Sequence, residues 1–280
     1  MRQNVKKDDE KYKLYKSVRE ILHPAISKRN ISNYKIILKE ELLPIRVFYP
    51  KKITSLEKII IYVQGSRRVI NEEYSSILSS LSKDLDSMII SIDYNDELSI
   101  EEQIKSIYNT FKYIYDGLST NDIKTSNIFL IGDSTGATLI LNIIDKMVQD
   151  KKDDIKLILF YPALIDKKSH SNNSDTILDY EIVNDINKYY QQKIGKKELS
   201  ASDILKCKCI ENNKFPNTLI ICGNVDPLLE ETKKISEKID NIDLKLISFA
   251  SHNFLKSKDK EIIKEYKNVL KDFIKEENYT

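Results

Sequence analysis

Three side-chain types in this chain could together perform covalent catalysis: a serine at 134, an aspartate at 226 and a histidine at 252. A serine hydroxyl is a weak nucleophile. It needs a base to take its proton, a group that orients the base, and donors for the oxyanion that forms when it attacks a carbonyl. Ser134 stands in Gly132-Asp133-Ser134-Thr135-Gly136, with a glycine two residues away on each side. That is the G-x-S-x-G spacing of a nucleophile elbow, a strained strand-to-helix turn that a side chain at either flanking position would obstruct. The flanks agree. Ile128-Phe129-Leu130-Ile131 is the length of one buried strand, and Ala137, Leu139, Ile140 and Ile143 resume at helical spacing.

The base is chosen from three histidines, His23, His170 and His252. His23 belongs to the N-terminal helical region and His170 to a polar loop. His252 directly follows a late strand, at the sheet edge where ligands bind in open α/β folds. Asp226 follows the preceding strand, 26 residues before His252. Alone, an aspartate before proline reads as a turn or helix cap. In the order Ser…Asp…His it is the expected orienting carboxylate.

The elements that must position these groups alternate. Apolar runs at Lys58–Val63, Met88–Ile92, Ile128–Ile131, Lys156–Tyr161, Thr218–Cys222 and Leu244–Phe249 read as strands. Helices are expected over Glu72–Leu85, Ser99–Asp116, the segment after the elbow, a stretch after Gly223-Asn224-Val225-Asp226-Pro227 to about Asp240, and Lys258–Ile274. Two earlier strands, Tyr34–Lys39 and Leu42–Tyr49, join through Glu40-Glu41, with Pro44 suited to an edge. Continuous apolar strands separated by helices mean a mostly parallel central sheet with helices on both faces. Glycine is scarce, six residues where ~7% usage would give about twenty. Four of the six, Gly65, Gly132, Gly136 and Gly223, fall at the ends of expected strands.

At this point the motifs resemble a family. Gly132-Asp133-Ser134-Thr135-Gly136-Ala137 is similar to the GDSAGG elbow of hormone-sensitive-lipase-type carboxylesterases of the α/β-hydrolase superfamily. Ile92-Asp93-Tyr94 resembles the start of their DYRLAPE stretch, and Leu159-Phe160-Tyr161-Pro162 their L-x-YP strand end. Asp226-Pro227-Leu228 with Glu230-Glu231 resembles DPLRDE, and Ser251-His252-Asn253-Phe254 the HGF histidine turn with one residue inserted. The likeness runs in order from about Ile59 to Phe254.

The resemblance implies one α/β-hydrolase domain over 1–280. Its small helical cap would come from about 1–33 and 166–205, and its catalytic core from about 34–165 and 206–280. Tyr180, Tyr189, Tyr190 and Phe215 are candidates for pocket walls. The resemblance also implies an oxyanion hole of backbone N–H groups from Ser66, Arg67 and Thr135, with Gln64, Gly65 and Arg68 lining the substrate site. Here Gln64-Gly65-Ser66-Arg67 replaces the family's HGGG. Glycine torsions that Ser and Arg resist imply a differently shaped loop. Arg67 and Arg68 could pair with a substrate carboxylate or phosphate. Asn95-Asp96-Glu97 in place of RLAPE has no functional account. Asp93 and Asp133 are expected to hold strand ends through loop backbone.

Composition excludes other classes. Lys+Arg 45 against Asp+Glu 43 gives +2, with the signs interspersed, so a nucleic-acid partner is not expected. No apolar run approaches the ~18 residues of a membrane span, and the polar N-terminus lacks a signal-peptide core. Cys207, Cys209 and Cys222 have neither disulfide-framework nor zinc-finger spacing. A reduced cytoplasmic protein is expected, with no metal and no cofactor; a homodimer is left open. The expected activity is hydrolysis of short or medium acyl esters through an acyl-enzyme. Two readings compete: another acyl transfer on the same triad (peptidase, amidase or acyltransferase), and a non-catalytic ligand-binding protein with an altered oxyanion loop.

Overall fold

The computed structural model describes residues 14, 16–22, 31–38, 41–51, 58–65, 72–152, 154–165, 177–194 and 200–275. Eight strands hydrogen-bond in the order β1-β2-β4-β3-β5-β6-β7-β8 in one mostly parallel sheet. This is the expected α/β-hydrolase arrangement. The chain divides into two compact units, the first of residues 1–62, 69–94 and 105–129, the second of 63–68, 95–104 and 130–280.

The first unit holds β1 (Ile31–Leu38), β2 (Glu41–Phe48) and β4 (Met88–Ile92). It also holds nearly all of β3 (Ile59–Val63). β1 and β2 form an antiparallel pair from Ile31 opposite Phe48 to Leu38 opposite Glu41, and β2 pairs antiparallel with β4. β2 is therefore an inner strand, and Pro44 is not on an edge. It lies one residue past the last β2–β4 pair, Ile45 opposite Ile92, where its carbonyl accepts the Asp93 N–H at 3.1 Å. Every residue of β3 and β4 is buried, as their unbroken apolar character requires.

α1 (Glu72–Asp84) buries Tyr74, Leu78 and Leu81. α2 (Ile100–Thr120), most of which lies in this unit, runs beyond Asp116 and through Gly117. The reason is packing. A Cβ on Gly117 would come 2.3 Å from Val18 Cγ2, so glycine there admits the helical segment 16–22 rather than ending α2. Val18, Ile21 and Leu22 of that segment are buried, as their helical spacing predicts.

The second unit carries the C-terminal half of the alternation. β5 (Ile128–Asp133), most of which lies in this unit, leads into α3 (Ser134–Leu141) and α4 (Ile144–Gln149). β6 (Lys156–Phe160), β7 (Thr218–Gly223) and β8 (Ile242–Ile247) are parallel neighbours. β8 starts two residues earlier than its apolar run suggests and is buried only at its two ends, Ile242 and Ile247, as befits the last strand of the order. Between β6 and β7 lie α5 (Ile177–Ile194) and two short helices that the sequence pattern did not reveal, α6 (Ala201–Ile204) and α7 (Lys208–Glu211). α6 starts at a capping box made by Ser200 and Asp203. α8 (Leu229–Ser236) and the amphipathic α9 (Lys260–Lys275) complete the unit. Among the described residues no helix is long and apolar enough to cross a membrane.

Candidate active site

Ser134 is the first residue of α3, immediately after β5. Its φ is 49°, in the left-handed region that non-glycine residues seldom occupy. This is the strain expected of the elbow. The turn is tight because α3 passes close to the end of β3: a Cβ on Gly136 would sit 2.3 Å from the Val63 carbonyl oxygen. The Ser134 carbonyl accepts the N–H of Ala163 at 3.1 Å, which ties the elbow to the segment after β6.

His252 lies in the loop after β8, and Asp226 in the loop after β7. The three side chains converge although 118 residues separate Ser134 from His252. His252 Nε2 is 3.0 Å from Ser134 Oγ, and its Nδ1 is 2.9 Å from Asp226 Oδ2. The second Asp226 oxygen accepts the Leu228 N–H at 2.8 Å, so both oxygens of the carboxylate are engaged. The His252 and Asp226 side chains are 0% and 1% exposed, which keeps their interaction out of competition with water. The Tyr161 ring meets the imidazole edge-on at 4.9 Å between centroids and fixes its plane from the side. Tyr161 is itself at positive φ and packs on Phe254 at 4.8 Å.

Chemically the arrangement can polarise one hydroxyl. An Nδ1–H donated to Asp226 leaves the Nε2 lone pair facing Ser134 Oγ–H. Nearby Cys222 does not compete as a nucleophile. Burial, and next the Asp226 charge, push its thiol well above the ordinary range, so it stays protonated.

The β3 exit loop is clamped to the elbow. Asp133 Oδ1 accepts the Gly65 N–H at 3.0 Å, and Thr135 Oγ1 donates to the Gly65 carbonyl. Both peptide groups of Gly65 are thus held by the residues flanking Ser134. Gln64 is buried. The Thr135 N–H belongs to the first turn of α3, whose N–H groups have no acceptor within the helix.

Of the residues expected from sequence, the structure brings together Ser134, Asp226 and His252, with Thr135, Gln64 and Gly65 beside them. Ser66, Arg67 and Arg68 lie outside the described residues, as do His23 and His170 and the side chains of Tyr180 and Tyr190. Tyr189 is buried, and its hydroxyl donates to Gln103 Oε1 at 2.8 Å, which anchors α5 to the N-terminal end of α2. Phe215 is buried beneath the approach to β7. Tyr161 is the contributor that sequence reasoning did not place at the site. Its signal was present in Tyr161-Pro162 at a strand end, but only the fold turns that ring toward His252.

A family profile described as alpha/beta hydrolase fold matches residues 64–254. The chain belongs to that family. Membership makes this alpha/beta hydrolase a hydrolase enzyme, and its motifs are of the hormone-sensitive-lipase, carboxylesterase type. It is similar to EstE1, a thermophilic and thermostable carboxylesterase cloned from a metagenomic library, at 18% identity and a TM-score of 0.70. That match covers 95% of this chain and 96% of the other. A hyperthermophilic esterase from the archaeon Pyrobaculum calidifontis matches at 16% identity and a TM-score of 0.69, over 96% and 93% of the two chains. The Francisella virulence factor BioJ matches at 17% and 0.66, over 94% and 91%. At these identities the likeness is one of fold. No curated protein sequence matches the chain.

Proposed function

We propose that this alpha/beta hydrolase is a serine carboxylester hydrolase acting on short or medium acyl esters, with Ser134 as nucleophile, His252 as general base and acid, and Asp226 as the orienting carboxylate. The observation that carries the reading is the continuous chain from Ser134 Oγ to His252 Nε2 at 3.0 Å and from His252 Nδ1 to Asp226 Oδ2 at 2.9 Å. His252 takes the Ser134 proton as Oγ attacks the ester carbonyl carbon. The resulting oxyanion is held by backbone N–H groups, with Thr135 supplied by α3 and Ser66 and Arg67 assigned by motif position. Collapse of the intermediate expels the alcohol, which receives the proton from His252, and leaves an acyl group on Ser134. Water deprotonated by His252 then releases the acid and restores the serine. The positive end of α3 adds to the stabilisation of the oxyanion.

Purified protein should hydrolyse p-nitrophenyl acetate or butyrate, and Ser134→Ala should abolish it. A fluorophosphonate probe should label Ser134 stoichiometrically. Stable labelling without turnover would point to a loop that supports attack but not the full cycle; no labelling would sink the catalytic reading. Arg67 is tested separately: Arg67→Ala should lower kcat/KM selectively for negatively charged esters, and an equal loss on neutral esters would count against that role.

A further inference from the structure

A second cluster of reactive side chains lies outside the catalytic arrangement. Asp145 on α4 and the pair Cys207 and Cys209 at the α6–α7 junction place one carboxylate oxygen and two sulfurs within 4.8 Å of one another. The cysteine spacing alone, Cys-Lys-Cys with no second pair, gave no reason to expect a metal. The third group comes from 62 residues earlier in the chain, and only the fold supplies it.

The cluster is built before any ion enters. Asp145 Oδ2 accepts the Lys208 N–H at 3.1 Å and Oδ1 accepts the Cys209 N–H at 2.8 Å. The Cys209 thiol also hydrogen-bonds the Asp145 carboxylate, so a cation would take the place of that proton between sulfur and oxygen. The cysteine backbone is fixed independently, through Cys207 N–H to the Ile204 carbonyl at 3.0 Å and Lys214 N–H to the Cys209 carbonyl at 2.8 Å. Both thiols are free, with Cys207 half-buried and Cys209 buried. A bound cation would displace the thiol protons of its sulfur ligands.

We propose that Asp145, Cys207 and Cys209 form a binding site for one Zn²⁺ per chain, with a fourth position left to water. Two thiolates and a carboxylate suit this borderline-soft ion, which takes four tetrahedral ligands at ~2.3 Å to sulfur and ~2.0–2.2 Å to oxygen. Such a site needs its sulfurs about 3.8 Å apart. The three donor atoms lie within 4.8 Å of one another, so a pair closes by at most roughly 1 Å, within the reach of side-chain rotation. Hard cations such as Mg²⁺, which take oxygen ligands in octahedral sets, do not fit this donor set. Bound there, Zn²⁺ would staple α4, next after the nucleophile helix, to the segment that leads into β7 and Asp226.

The test uses the demetallated, reduced full chain. Titration with Zn²⁺ against a chromophoric chelator should show one equivalent bound per chain. Cd²⁺ should bring up sulfur-to-metal charge-transfer absorption. Affinity should rise with pH, because binding releases thiol protons. Cys207→Ser, Cys209→Ser and Asp145→Asn should each weaken binding by at least about tenfold, and Cys222→Ser should titrate like the parent. Cys207 is half-buried, so its variant keeps the test open even where the buried Cys209→Ser fails to fold. Substoichiometric uptake, absence of the Cd²⁺–thiolate absorption, or unchanged binding in Cys207→Ser would overturn the proposal.

Discussion

The Asp133 carboxylate holds the Gly65 N–H at 3.0 Å, and so fastens the residue before Ser66 and Arg67 to the residue before Ser134. Asp133 is completely buried. The same loop replaces the family's HGGG glycines with bulkier residues, so this clamp is the clearest described device for setting where its N–H groups fall.

Asp133→Ala should therefore lower kcat/KM on p-nitrophenyl butyrate by about 10²-fold, the scale of losing one oxyanion donor. Asp133→Asn keeps an oxygen acceptor for the same N–H and should stay within about tenfold of the parent. Circular dichroism establishes that both variants are folded. Equal losses in the two variants, or none in either, would remove the positioning role.

Much of this was legible in the sequence because buried strands and a reactive turn each leave a local pattern. The apolar runs of β3 to β7 mark strands that are buried almost throughout, and G-x-S-x-G marks the elbow by the glycine that Val63 excludes a side chain from. What escaped was non-local. Gly117 looks like a helix end until Val18 is packed against it. Pro44 looks like an edge residue until β4 pairs beyond it. Tyr161 meets His252 only across loops from two different strands. The four-residue helices α6 and α7 are too short to show a 3.6-residue period. Asp145 reaches Cys207 and Cys209 only through the packing of α4 against the α6–α7 segment.

Tyr189→Phe removes a buried hydroxyl and leaves Gln103 Oε1 without that donor. Gln103 Nε2 meanwhile still donates to the Leu98 carbonyl at 2.8 Å, which holds the amide in place and prevents it from turning away. The cost should be about 1–3 kcal/mol of unfolding free energy, read as a lower urea midpoint. Fluorophosphonate labelling of Ser134 should be unchanged. A slowed labelling rate at unchanged stability would instead place Tyr189 at the substrate.

Gly223 ends β7 against the strand-to-loop segment that delivers His252. A Cβ there would lie 1.9 Å from the Ala250 carbonyl oxygen and 3.1 Å from the Ser251 nitrogen, both backbone atoms that cannot rotate aside. Gly223→Ala must push residues 250 and 251 away, at a cost of about 1–3 kcal/mol or more. Because His252 is the next residue, labelling of Ser134 should slow at least about tenfold even at temperatures where the variant is fully folded. A variant that is destabilised but labels at the parent rate would show that the loop absorbs the shift before His252.

At the end of β4, the Asp93 carboxyl is pushed up from 3.8 to about 6. Burial is the main cause, partly opposed by the Arg46 charge on the neighbouring strand. One of its oxygens is buried with no hydrogen-bond donor among the described residues. Between pH 3.8 and about 6 the folded chain holds a proton that the unfolded chain has released. Stability from this group is therefore full below that window and lost as pH rises through it. Asp93→Asn, which stays neutral, should flatten the urea-midpoint profile across the window and raise the midpoint at pH 7 and above. Arg46→Gln should act the other way, extending the decline to higher pH by removing the charge that favours the carboxylate. An Asp93→Asn profile parallel to the parent from pH 4 to 7 would show that the carboxyl titrates normally and that β4 ends on a solvated aspartate.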